Sequence, residues 1–314
     1  MSKKSEVGVV ILNCNNTRLT EDCIEALEKS DYGSLEVSVV DNGSTDGSAD
    51  AIAARYPGIT LIRNSANLGF AEGSNQGIRH AMRKGAAYVL LLNNDAIVDK
   101  RMISCLVQTA VTHKNRVAVS PKMYDGYRQR RLWFVYGKTN LWTGVFSNPA
   151  YAAPATTLFD PVIPMEYASG CCILIPREVV SAVGGFDSRF FAYCEDVDWS
   201  IRTRRAGFGL LCDTRAELWH CTSSTGGRNP ARMRHLMTRN HLWTMRKHAT
   251  LAQFALFALA FYPLRCLLRL ARAVRHRQWA CIPAEFRGAF EGFFAPLAPA
   301  RARLSATEVR IEGG

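Results

Sequence analysis

The chain has 314 residues, 48% hydrophobic and 21% charged, which excludes a disordered or fibrous protein and allows one large domain with an appendage. Ten cysteines are scattered without a CxxC pair, arguing against a zinc site or disulfide framework and for a reducing compartment. The net charge of +12 is concentrated late: residues 226–314 hold 15 Lys and Arg against 4 Asp and Glu, so the tail suits an anionic surface while the body is near neutral.

The first residues run straight into an apolar stretch, Val7–Leu12, which reads as a buried parallel strand, and no signal peptide is expected. Thr20 is expected to cap an amphipathic helix whose apolar side is Cys23, Ile24 and Leu27. A strand over Leu35–Val40 ends at Asp41, and a helix follows over Ala49–Arg55. Then come a strand at Ile59–Arg63, a helix at Ala71–Lys84, and a strand at Ala87–Leu92 that stops at Asn93-Asn94-Asp95. Met102–His113 reads as helix and Val117–Val119 as a short strand. Residues 121–167 lose the alternation and read as an irregular or antiparallel insertion on the substrate side. Cys171–Ile175 returns as strand, a helix runs to Val183, and an acidic cluster follows. This order predicts an α/β fold with a mostly parallel sheet.

In such sheets ligands bind beyond the carboxyl ends of the strands. Asn13-Cys14-Asn15-Asn16, the run DNGSTDGS from Asp41 to Ser48, and Asn93-Asn94-Asp95 all fall there. Turn chemistry explains any one of them, but not their recurrence at one edge. No GxGxxG opens the first helix and there is no GxxxxGK[ST], which disfavours a dinucleotide dehydrogenase and a P-loop enzyme. A nucleotide diphosphate bound here needs another neutralising group, most simply a divalent cation, and Asp95 is well placed to hold one. Glu195, Asp196 and Asp198 crowd among Phe190, Phe191, Tyr193 and Trp199, a setting that favours a catalytic carboxylate over a solvated acidic turn.

The motifs VVILNCNN, VDNGSTDGS, NLGFAEGSNQGI, LLNNDAIVD, GGFDSRFFAYCEDVDWSIRTRRAGF and WHCTSSTGG occur in order over residues 7–245. Together they resemble glycosyltransferase family 2 and, within it, the rhamnosyltransferase-like branch. The resemblance implies a GT-A fold, Rossmann-like, with helices on both faces of a mostly parallel sheet and a C-terminal helical extension. It implies an inverting transfer of a sugar, rhamnose in this branch, from a dTDP-, UDP- or GDP-linked donor to a glycan or polyprenyl-linked acceptor of cell-surface polysaccharide. By the same resemblance Asp41 binds the base and ribose, and Asn13 and Asn15 line that pocket. Asn67, Gly69, Phe70 and Asn75 pass under the nucleotide, beside Asn93 and Asn94. Asp95 is the last acid of the metal motif for Mg²⁺ or Mn²⁺, the first acid being replaced by Asn93. Asp196 matches the general base, with Glu195 and Asp198 as the other catalytic candidates and their repulsion raising the Asp196 pKa. His220 reads either as a satisfied core histidine or as a second metal ligand beneath a mobile Ser223–Gly227 loop. Arg228, Arg232, Arg234 and the pair Arg239-Asn240 either clamp the leaving diphosphate or are solvated.

The chain divides into a catalytic domain, 1–245, and a basic tail, 246–314. In the tail Leu251–Leu264 is an apolar run short of the roughly 20 residues a bilayer crossing needs, and Pro263 is expected to bend or end it. Arg265, Arg269 and Arg272 then recur opposite Leu264, Leu267, Leu268 and Ala271. Phe290, Phe293 and Phe294 add an apolar patch. This is the pattern of a helix lying in a membrane interface, with a hairpin packed on the core or on a second subunit of a homodimer as the other reading. Nucleic acid is not expected as a partner, because the apolar residues form a continuous face. The expected location is the cytoplasm, peripheral on the inner membrane face. The rivals in function are a non-catalytic nucleotide-sugar-binding scaffold and a nucleotidyltransferase, which would need a basic Gly-rich loop after the first strand.

Overall fold

The computed structural model describes residues 6–126, 131–221 and 229–296, and the backbone of Val309–Glu312. Four apolar strands form a parallel run in the order β3 (Thr60–Asn64), β2 (Leu35–Asp41), β1 (Val7–Asn13) and β4 (Tyr88–Asn93). β11 (Cys172–Pro176) joins β4 antiparallel and passes the sheet on to β6 (Val117–Asp125), which pairs parallel with β12 (Gly209–His220). Val7, Val9, Val10, Ile11, Leu90 and Leu91 are all buried, as strands covered on both faces require. Close approach of α3 (Gly69–Lys84) to β1 depends on small residues: a Cβ at Gly77 would lie 2.1 Å from Val10 Cγ1.

Several boundaries differ from the sequence reading. α1 (Thr17–Glu28) starts three residues before Thr20 and is capped by the Asn16 side chain, because the Thr20 hydroxyl is taken up by Asn13 Oδ1 and Asn16 O. β6 runs nine residues rather than three, through Pro121. Its partner β12 shifts register between Asp213 and Glu217, opposite Pro121 and Lys122, so the ladder breaks where the missing proline N–H could not donate. The 121–167 insertion holds the short strand β7 (Leu132–Phe134), the hairpin β8 (Lys138–Asn140) with β9 (Val145–Ser147), and β10 (Val162–Pro164) on β12.

α7 (Pro230–His248) is one 19-residue helix, so the division expected at residue 245 falls inside it. Beyond it α8 (Leu251–Leu256), a π-helical turn (Phe257–Phe261) and α9 (Tyr262–Arg275) make one continuous 25-residue helix. Pro263 does not end it: it sits in the first turn of α9, directly after the π turn, where a missing N–H is tolerated. α10 (Cys281–Phe294) lies across α7, with Gly288 and Gly292 one turn apart at the crossing. A Cβ at Gly288 would come within 2.5 Å of His235 O, and one at Gly292 within 2.6 Å of Leu242 Cδ1. A second apolar cluster, Leu242, Met245, Phe257 and Tyr262, fills the space between these helices and the β8–β9 hairpin.

Candidate active site

The strand-end polar residues converge as expected, but they divide the work. Asn13 is fully buried: its amide donates to Asp41 Oδ1 (2.9 Å) and Ser48 Oγ (2.9 Å), while its Oδ1 accepts from Thr20. Asp41 Oδ2 accepts from Ser44 N (3.1 Å), so the carboxylate is fixed at the sheet edge. Asn15 holds the DNGSTDGS loop by accepting from Thr45 N (2.7 Å). Asn67 Oδ1 accepts from Gly69 N, and Gly69 has φ +86°, a conformation costly for any residue with a Cβ. Phe70 packs its ring on Phe186, whereas Asn75 spends both ends of its amide on the backbone of Phe186, at 2.8 Å each. Asn75 therefore ties α3 to the acidic segment. Asn42, which the sequence reading left inside a turn motif, is a hub that bonds to Asn64, Asn67, Leu68 N and Gly69 O.

Asn93 ends β4 and Asn94 follows it, its Nδ2 donating to Thr20 (3.0 Å). Asp95 follows, and β5 (Ala96–Val98) pairs with the end of β12 so that Ala96 faces His220. That register brings His220 Nε2 to 3.0 Å from Asp95 Oδ1. The His220 ring is buried against Trp133 (4.3 Å between centroids), and neither ring nitrogen makes an aligned hydrogen bond among the described residues. Burial pulls the His220 pKa down, but Cys171 and Asp95 beside it outweigh this and raise it to about 10. Burial pushes the Cys171 thiol up to about 11. With its pKa raised, His220 carries its proton beside Asp95, so a divalent cation held by these two side chains must displace that proton. The described residues contain no group of three or more His, Cys, Asp or Glu side chains arranged to hold a metal ion, so a hard cation here would need oxygens from its substrate.

The acidic cluster resolves into three different states. Residues 190–194 form a tight turn in which Phe191, Tyr193 and Cys194 have φ of 64°, 72° and 67°, each a strain of about 1–3 kcal/mol for a residue with a side chain. α6 (Glu195–Arg205) starts at once, placing all three acids in its first turn. Asp198 is fully buried and contacts Lys247 (2.7 Å), His248 (2.7 Å) and Arg202 (3.0 Å). Burial opposes ionisation, yet His248, Arg202 and Lys247 hold its carboxyl below the usual range. Those three partners occupy the carboxylate that the sequence placed among the catalytic candidates. Glu195 is buried with Oε2 unbonded among the described residues, and burial first, then the charge of Asp196, pushes its pKa well up.

Asp196 alone combines access with support. Its Oδ2 accepts from Gly170 N (3.2 Å) and its Oδ1 from Val197 N (2.8 Å), in a half-buried position. A Cβ built on Gly170 would lie 3.1 Å from Phe70 and 3.6 Å from Asp196 Cβ, so these three residues meet at one point. The Asp196 pKa is raised by burial, against the backbone N–H groups that favour the charge; the repulsion expected from Glu195 and Asp198 is not among its causes.

The arginines of the basic stretch are engaged rather than poised. Arg239 lies over the Trp243 ring (4.3 Å) and donates to Phe190 O, Arg232 covers the Phe191 ring (4.7 Å), and Arg234 approaches Glu285 (3.8 Å). Asn240 is not a phosphate contact: its amide faces the carbonyls of the acidic turn. Arg228 and the Ser223–Gly227 loop lie outside the described residues.

Solved structures place this architecture. The chain overlays on GalNAc-T7 with UDP, GalNAc and Mn²⁺ with a TM-score of 0.61 and 16% identity, over 77% of this chain and 49% of the other. The mannosyltransferase PcManGT from Pyrobaculum calidifontis, in complex with GDP-Man and Mn²⁺, overlays with a TM-score of 0.58 and 17% identity, over 94% and 89%. The fold is GT-A. Residues 8–184 match the family model described as "Glycosyl transferase family 2". The N-acetylglucosaminyl-diphospho-decaprenol L-rhamnosyltransferase of Mycobacterium tuberculosis is 31% identical over 215 residues, 63% of this chain and 70% of that protein. The chain belongs to glycosyl transferase family 2 as a rhamnosyltransferase-like, nucleotide-sugar-dependent glycosyltransferase.

Proposed function

We propose that this enzyme transfers a sugar, with inversion at the anomeric carbon, to a lipid-linked glycan acceptor at the cytoplasmic face of a membrane. The observation that carries the reading is Asp196: one ionisable oxygen pair, raised in pKa, supported by two backbone N–H groups and set beside Phe70 and Gly170. In the reaction Asp196 takes the proton of the acceptor hydroxyl. The freed oxygen forms its bond to the anomeric carbon from the face opposite the nucleotide, and the bond to the diphosphate breaks with the electron pair leaving on it. Asp41 holds the nucleoside end, with Asn13 fixing its orientation. Asp95 and His220 would hold Mg²⁺ or Mn²⁺, which supplies positive charge to the diphosphate when bound.

The lipid-linked acceptor is supported by the mycobacterial relative, whose name specifies an N-acetylglucosaminyl-diphospho-decaprenol, and rhamnose is the first donor sugar to test. The membrane reading is supported by the helix Leu251–Arg275, the one described helix long and apolar enough to cross a bilayer by length and composition. Two of its four arginines turn inward, Arg265 donating to Gly144 O (3.0 Å) and Arg269 contacting Glu285 (3.2 Å), while Arg272 and Arg275 are exposed along with Leu264, Leu267 and Leu268. That arrangement suits a helix seated on the domain and lying in an interface rather than one spanning it.

The test is a panel of dTDP-, UDP- and GDP-sugars with and without Mn²⁺, read first by thermal shift and then by transfer to a polyprenyl-diphospho-N-acetylglucosamine in vesicles. A metal-dependent shift with one donor and a product of inverted anomeric configuration is expected. Retained configuration sinks the proposed chemistry. Binding without transfer to any lipid-linked acceptor favours the scaffold reading.

A further inference from the structure

We propose that Asn240, on α7, is a positioning residue for the acidic turn, holding the backbone from which Asp196 is presented; the inference rests on reading Asp196 as the base. Asn240 is fully buried, and its Nδ2 lies 2.8 Å from Phe190 O, 2.7 Å from Ala192 O and 2.8 Å from Tyr193 O. An amide has two N–H groups, so three carbonyls share them, and the side chain admits only this orientation. Its Oδ1 accepts from Arg239 Nε (2.9 Å), which completes its bonding.

What Asn240 holds is unusual backbone. Phe190 O also accepts from Ala192 N (2.7 Å), closing a three-residue turn around Phe191, whose φ and ψ are 64° and −65°. Tyr193 and Cys194 follow at positive φ, and Cys194 is the N-terminal cap residue of α6 with no side-chain cap bond. Carbonyls turned inward by such a conformation need donors, and the chain supplies no glycine here to relieve it. On its other side the turn touches the start of α3, where Phe191 O accepts from Ala71 N (3.1 Å). One amide thus fixes where α6 begins, and Asp196 lies two residues after Cys194.

α7 is itself clamped from behind. Thr238 donates to Glu285 (2.9 Å), His235 faces Glu291 (2.9 Å), and Arg246 donates to Gly292 O (2.9 Å) and Ala295 O (2.8 Å). The helix carrying Asn240 therefore has little freedom to follow the turn if the turn relaxes.

The experiment compares Asn240→Ala, Asp196→Asn and the double variant in the full chain, measuring donor binding, kcat and acceptor KM. Asn240→Ala is expected to lower kcat by on the order of 10²-fold, the scale of a small misplacement of a catalytic group, with donor Kd unchanged. Because both residues act through one group, the double variant should be no slower than Asp196→Asn alone. Adding Cys194→Gly to Asn240→Ala should restore part of kcat, because glycine takes a positive φ without the clamp. Folded Asn240→Ala at wild-type kcat, additive losses, or donor binding lost in step with kcat each overturn the proposal. If Asn240→Ala does not fold, Asn240→Ser is measured in the same way, and failure of both to fold assigns Asn240 to the fold alone and ends the proposal. Wild-type turnover by Asp196→Asn sinks the base assignment instead, and leaves the kcat and KM of Asn240→Ala to be read directly.

Discussion

Asp196 differs from Glu195 and Asp198 in what meets its oxygens, and that difference sets expectations for each. A carboxylate whose folded pKa is raised favours the protonated fold: its contribution to stability is present below the ordinary carboxylate value and is lost as pH rises through the folded value. At neutral pH the charge on Asp196 therefore costs stability. Asp196→Asn should melt higher than wild type at pH 7 and turn over slower by on the order of 10²-fold or more, with the gain in melting temperature vanishing at acid pH. A variant that is slower and also less stable at neutral pH would count against the raised pKa. The acid limb of the rate profile should lie above the ordinary carboxylate range, since Asp196 must be ionised to accept a proton. Asp95→Ala tests the other pole of the site: nucleotide diphosphate should still stabilise the protein, but equally with and without Mn²⁺. Retained metal dependence would move the cation away from Asp95 and His220.

The helices built on α7 bring their own pH dependence. His241 is held down to about pKa 3, by burial first and then by Arg265 and Arg269, with Gly144 O and the rings of Phe146 and Phe257 as its other close neighbours. Its folded value is below the ordinary one of about 6.5, so its contribution to stability is complete above that value and is lost as pH falls towards 3. Thermal melts over this window should fall less steeply for His241→Gln, which keeps a donor for Gly144, than for wild type; parallel curves would show that His241 does not carry the acid sensitivity. Elements such as these mark the limit of what the sequence discloses. The runs Val7–Leu12 and Ala87–Leu92, and the motifs ending in Asp41 and Asp95, are legible because apolar periodicity and strand-end turns are local signals. The aromatic setting of Asp196 is a local signal of the same kind. Asn75 and Phe186 are 111 positions apart, and Asp198 and His248 are 50 apart, so the pairings that engage Asn75 and Asp198 leave no local trace. Pro263 misleads for a different reason: a π turn just before it lets the helix continue, and no pattern in the run announces that turn.

For the molecule as a whole, the tail is both buttress and surface. Deleting residues 250–314 would uncover Leu242 and Met245 and remove Glu285 and Glu291 from α7, so truncation confounds folding with membrane binding. Point substitutions on the outward face separate them. Leu267→Glu with Phe290→Glu, at sites 64% and 67% exposed, should leave donor binding and melting temperature unchanged while reducing binding to anionic liposomes. Salt should weaken liposome binding of the wild type in part, as screening acts on the basic contribution alone. Unaltered liposome binding by the double variant would assign the face to another partner. The same arrangement of the tail, with Arg265 and Arg269 inward and the leucines outward, has a consequence for handling the protein away from lipid. Leu251, Leu259, Leu264, Leu267, Leu268, Phe286, Phe290 and Phe294 then meet water. Two copies can hide these side chains only against each other, so assemblies formed in plain buffer should grow with concentration and dissolve in mild detergent micelles. A sedimentation or light-scattering mass measured without detergent would then report the stickiness of this face, and the stoichiometry of the working enzyme should be read with the face covered.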